Sequence, residues 1–175
     1  MPGRSVAPLL LALALFLPLS ACTAQPEDTP LTLAESKSPV QLLRNEVASR
    51  IPQNVVQQAV NEDFSEACGE DDPSIRAWHS VVRLELGAAG EIDVDALIDE
   101  LSASFEEDGW IATPGNERLE QKQAVYTRGG TAAEIHITAE ARAGVGHAVV
   151  VSVFGPCVQT DGPDSDEVTS LEGSN

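Results

Sequence analysis

Hydrophobic positions along the chain fall into three kinds of pattern. Val6 to Leu19 form an almost unbroken apolar run, interrupted only by Pro8 and Pro18. Further on, Val40, Leu43, Val47 and Ile51 recur at helical spacing, as do Val94, Leu97, Ile98, Leu101 and Phe105. In Ser38-Pro39-Val40-Gln41 a serine N-cap is followed by proline at the first helical position and glutamine at the third. A helix is therefore expected from here to about Arg50, stopped by Pro52. Asp93 caps the second helix and Gly109 closes it, while Asp99, Glu100, Glu106 and Glu107 make its solvated face.

Alternation with a period of two marks the third pattern. From Ile75 to Leu86, Trp78, Val82, Leu84 and Leu86 fall on one side and His79, Arg83 and Glu85 on the other. Trp110 to Thr113, Leu119 to Arg128, Ala132 to Ala141 and His147 to Phe154 read as further strands. They are separated by Pro114-Gly115-Asn116, Gly129-Gly130 and Gly144-Val145-Gly146. A short strand is expected at Asn54 to Val60. Val149-Val150-Val151 is apolar on both faces, which places the last strand inside the sheet. The order of elements predicts an α+β fold: a two-layer sandwich with a mostly antiparallel sheet of four to five strands and two helices on one face.

Charge narrows the partners. The 175 residues carry 28 acidic side chains against ten basic ones, a net charge of −18. Nucleic acid is held mainly by clustered Lys and Arg, so this balance argues against it as a partner. The length suits one domain. Its expected organisation is a leader over 1–21, a flexible tether over 22–37, one folded domain over 38–160 and an acidic disordered tail over 161–175.

The leader has the anatomy of an export signal, with Arg4 as its positive region and an apolar run too short and too proline-rich for a spanning helix. Its end, Leu19-Ser20-Ala21-Cys22, resembles the lipobox of bacterial lipoproteins; an ordinary secretory signal is the alternative. The resemblance implies cleavage between Ala21 and Cys22 and a diacylglyceryl thioether on Cys22, usually with a further acyl group such as palmitate on its new amino terminus. It places the protein on the outer face of the cell membrane, or at an outer membrane if the bacterium has one. Two or more acyl chains suffice for stable attachment. With Cys22 so used, Cys68 and Cys157 remain, and in an oxidising compartment they are expected to pair. Two free thiols, or half of a metal site, are the other readings. The arrangement, including Trp78 and Trp110, is similar to that of small exported lipoproteins of actinobacteria.

Candidate chemistry is sparse. Alternation puts Glu134, His136 and Thr138 on one face of a strand, and His79 on the polar side of another. A zinc or general-base site using His79, His136 and Glu134 is set against histidines on a solvated sheet face. The chain has no HExxH, GxSxG, SxxK or phosphate-loop motif, so the second reading is preferred and no catalytic residue, metal or cofactor is expected. Two acidic clusters, Glu70-Asp71-Asp72 and Asp161, Asp164, Asp166 with Glu167, lack the spacing of a calcium loop. The expected function is a non-enzymatic, membrane-tethered domain binding an envelope component or a partner protein, with His79, Arg83, Glu134 and His136 as its binding face. A small-molecule or lipid carrier with a cavity between sheet and helices is the alternative, and an unrecognised hydrolase the second.

Overall fold

A computed structural model of the chain describes residues 31–87, 92–113, 123–128, 133–142 and 146–173. The lipobox Leu19-Ser20-Ala21-Cys22, most of the tether and the glycine-containing turns at 114–116 and 129–130 lie outside the described residues. Among the described residues no helix is long and apolar enough to cross a membrane.

The fold is α+β. In chain order it runs α1 (Leu33–Ser49), β1 (Val56–Ala67), β2 (Ile75–Leu86), α2 (Val94–Glu107), β3 (Ile111–Thr113), β4 (Gln123–Thr127), β5 (Glu134–Arg142), β6 (Gly146–Phe154), β7 (Val158–Gln159) and α3 (Asp166–Glu172). All strand pairs are antiparallel, in the order β1-β2-β6-β5-β4-β3, with β7 pairing the start of β2. The sheet thus has seven strands, not four to five. Only β7, a two-residue strand too short to alternate, lies on no expected segment; the other six fall on segments read as strands, more than the four to five counted. β1 was expected as a short strand ending at Val60, but it runs twelve residues because the backbone ladder to β2 continues to Ala67↔Arg76 whatever the side chains.

α1 also differs from expectation. It starts at Leu33, and its N-cap is Thr32, not Ser38. The Thr32 hydroxyl accepts the Glu35 N–H at 3.2 Å, and the Glu35 carboxylate accepts the Thr32 N–H at 2.9 Å. Two capping boxes compete in this sequence, and the earlier one wins because it brings Leu33 into the core, fully buried. Pro39 is left inside the helix, where it forfeits one backbone hydrogen bond. The last five positions of the expected tether, 33–37, are therefore helical.

α2 follows expectation. Asp93 accepts the Ala96 N–H at 3.0 Å, and Val94, Leu97, Ile98, Leu101 and Phe105 are all buried. Gly109, at φ 81°, ends it with a conformation a side chain would oppose. α1 packs on β2 and β6, α2 on β3, β4 and β5. Their buried residues form one cluster with Val82, Leu84, Ile135, Ile137, Val149, Val151 and Val153 from a single face of the sheet. β6 lies between β2 and β5, where its run of valines belongs.

The acidic segment after Asp161, expected to be disordered, instead carries α3. Ser165 caps it, Val168 is buried in the common core, and the Lys37 ammonium of α1 donates to the Leu171 carbonyl at 2.7 Å. Low apolar content hid one well-placed anchor.

Cys68 and Cys157 form a disulfide, with Cα atoms 6.0 Å apart and 89 positions between them. It joins the end of β1 to the link between β6 and β7, across β2. Closing a loop of that length stabilises the fold by roughly 4 to 5 kcal/mol in the chain-entropy description.

Candidate functional site

Because side chains alternate along every strand, the residues not facing α1 and α2 share the opposite face of the sheet. Strand register sets them in rows. One row runs Phe64, His79, Phe154, Glu134 and Thr127 across β1, β2, β6, β5 and β4; the next runs Glu62, Val81, Ser152, His136 and Val125. α1, α2 and α3 all contribute to the core on the other side.

Aromatic rings tie the first two rows together. Phe64 meets His79 edge-on at 4.7 Å between centroids, His79 stacks on Phe154 at 3.9 Å, and His136 lies against the same phenylalanine at 4.9 Å. His79 is only 8% exposed, and neither ring nitrogen has a hydrogen-bond partner. Its Nδ1 stands 3.5 Å from the Glu66 carboxylate, an ion-pair distance without hydrogen-bond alignment. Burial pulls the imidazole below its ordinary value of 6.5, and attraction to Glu66 only partly opposes it.

His136 pairs with Glu134 on its own strand through Nε2, and its Nδ1 approaches the Gln123 amide at 3.5 Å. Beside these rings opens a cleft of about 490 Å³, bordered by Glu66, Glu134, His136, Phe154 and the Cys68–Cys157 disulfide. Among the described residues no three His, Cys, Asp or Glu side chains converge as metal ligands. In the loop cluster Asp72 turns inward on Ser74, accepting its N–H at 2.9 Å and its hydroxyl at 2.5 Å.

All four residues expected on a binding face are on this one face. His79, Glu134 and His136 gather around Phe154. Arg83 lies four residues along β2, about 13 Å away. Its guanidinium donates to Glu85 at 2.6 Å and to Glu140 at 2.5 Å, bonds that raise its already high pKa, Glu140 contributing first. Arg83 therefore bridges two carboxylates and does not join the histidines.

Sequence reasoning missed Phe64, Glu66 and Phe154. The alternation Phe64-Ser65-Glu66 was available, but the expected strand stopped at Val60. Phe154 was read only as the end of a strand, since nothing local shows that it would lie between two histidines from other strands.

A second concavity, about 580 Å³, lies on the helix side between α1 and Trp110. No protein-family model matches the chain, and comparison with curated proteins and with solved structures finds no significant match.

Proposed function

We propose that the protein is a lipid-anchored extracytoplasmic binding domain without enzymatic activity, held at Cys22 on the outer face of the membrane and docking a partner through the open face of its sheet. The observation that supports it most is the composition of that face. Phe64, Val81, Val125, Val150 and Phe154 are half-buried there, beside carboxylates at Glu62, Glu66 and Glu134. An apolar strip with an acidic margin suits a basic, partly apolar protein surface in the envelope, and the net charge of −18 steers such a partner toward it. The architecture reads as two layers, with the helices closing one face and leaving the other for contact.

The non-enzymatic reading draws on His136. Ser152 is its direct neighbour across the β5–β6 ladder, a hydroxyl placed beside a histidine. Yet both ring nitrogens of His136 have other partners, Glu134 and Gln123. A hydroxyl with no base aimed at it is a poor nucleophile.

In-cell crosslinking of a tagged chain, with mass spectrometry of the membrane fraction and Cys22→Ala as the unanchored control, tests the proposal. The expected result is a partner recovered with the native chain and lost with the double variant Glu66→Lys, Glu134→Lys. Recovery that is unchanged in the double variant would remove the sheet face from consideration.

A further inference from the structure

α1 and α2 leave part of the sheet uncovered. α2 ends at Glu107, and after the turn at Gly109 the chain returns with Trp110 facing α1 across a trough of about 580 Å³. Leu31, Pro39 and Leu43 form its helix wall, and Trp110, Ala133 and Pro156 the other. Polar groups enter the lining chiefly as Glu35 and Glu46 on α1 and Arg128 at the end of β4.

We propose that this trough holds one acyl chain of a phospholipid drawn from the membrane to which the protein is anchored. Its volume is that of an ordinary ligand site, about 300 to 1,000 Å³. Glu35 and Glu46, both in the lining, are eleven positions apart on α1, about 16 Å at the helical rise, so the trough is long enough for an extended hydrocarbon chain. Its described walls offer little to a sugar or nucleotide: the hydroxyl of Ser36 already donates to the Leu33 carbonyl at 2.8 Å, and most of the other lining residues are apolar. Glu35 and Glu46, engaged with Thr32 and Arg50, and Arg128, which lies over the Trp110 ring, give the rim of the trough both signs of charge, as a zwitterionic head group has.

Position supplies the source. Leu31 borders the trough and stands nine residues after Cys22, a span of at most about 30 Å when extended. The anchored domain therefore keeps the trough within that distance of the bilayer. This step rests on the anchoring proposed above, while the ligand and the site are separate from the sheet face.

The test is photolabelling of the full, processed chain reconstituted into phosphatidylcholine vesicles containing a trace of phosphatidylcholine with a diazirine near the end of one acyl chain. Flotation with the vesicles reads the anchor, and the position of the crosslink reads the trough. In the floated fraction, label is expected on peptides carrying Leu31 to Glu46 and Trp110. Ala133→Phe, which fills the trough, should cut the yield about fivefold or more, the factor that a loss of about 1 kcal/mol of apolar contact produces. Leu43→Gln, which makes a wall polar at nearly the same volume, should act in the same direction if the first variant does not fold. Leu42→Ser, on the exposed side of the same helix, should leave the yield unchanged.

A chain that floats but is unlabelled, or labelled equally at Val125 and Val150 on the opposite face, overturns the acyl site and leaves the anchor standing. An unlabelled trough is also the result expected if the chain's own residues before Leu31 fill it. A chain that does not float overturns both proposals.

Discussion

Glu172, in the acidic segment at the end of the chain, accepts both the backbone N–H of Ser65 at 3.0 Å and its hydroxyl at 2.7 Å. Ser65 belongs to β1, an edge strand, and in turn takes the Arg76 guanidinium on its hydroxyl at 3.0 Å and on its carbonyl at 2.7 Å. α3 therefore satisfies a donor that an edge strand would otherwise present to another chain. Truncation after Thr160 is expected to lower the melting temperature and to shift the protein toward dimers by pairing of exposed β1 edges. Sedimentation velocity at several concentrations reads the second effect. Glu172→Gln should cost about 1 kcal/mol and leave the chain monomeric, because the residue is exposed and its amide oxygen still accepts.

Arg44 on α1 is 5% exposed and forms an ion pair with Asp63 on β1 at 3.2 Å, while Asp63 also accepts the Ser80 hydroxyl. Arg44→Met should destabilise by about 3 to 5 kcal/mol, since it leaves the carboxylate without its guanidinium in a poorly solvated place. Arg44→Met with Asp63→Leu should recover most of that loss. Urea denaturation of the two variants checks this, and a double variant no more stable than the single one would mean the pair itself, not its burial unpaired, carries the stability.

His79 makes stability depend on pH. Its pKa in the folded protein is lower than in the unfolded chain, so below about 6.5 the unfolded chain binds a proton that the folded one refuses. Its contribution is complete above that value and is lost as pH falls toward the folded pKa. The charged groups that act on it are Glu66 on the same face and Asp63 on the helix side of β1, which favour its protonation, and His136 across Phe154, which opposes it. Melting curves between pH 7.5 and 5 should show a downward shift that His79→Phe removes, because phenylalanine keeps the stack on Phe154 and carries no titrating group. An equal shift in the variant would assign the effect elsewhere.

Gly155 is needed for contact between helix and sheet, not for its backbone angles. A methyl group there would lie 2.9 Å from a Val40 methyl and 3.4 Å from the Trp78 carbonyl, which accepts the Gly155 N–H at 2.9 Å. Gly155→Ala should cost about 1 to 3 kcal/mol as overpacking, measured by thermal melting. Combination with Val40→Ala should restore part of it by making room.

What could be read from the sequence by itself is what local physics controls. Helical spacing and the Asp93 cap specified α2 almost to the residue, alternation specified β2 from Ile75 to Leu86, and the valines of β6 marked a strand covered on both sides. These signals are local because burial of one face imposes a period on neighbouring residues. Tertiary structure decided the rest. It chose Thr32 over Ser38 as the start of α1 because only the earlier cap buries Leu33, and it made α3 an ordered helix because Val168 has a core to enter. It extended β1 through a backbone ladder that leaves no mark on side-chain periodicity. It also brought His79, stacked, and His136, tilted, from strands 57 positions apart in the chain, against the ring of Phe154. Such convergence depends on strand order and register, which are set by the packing of the whole chain and by no short segment of it.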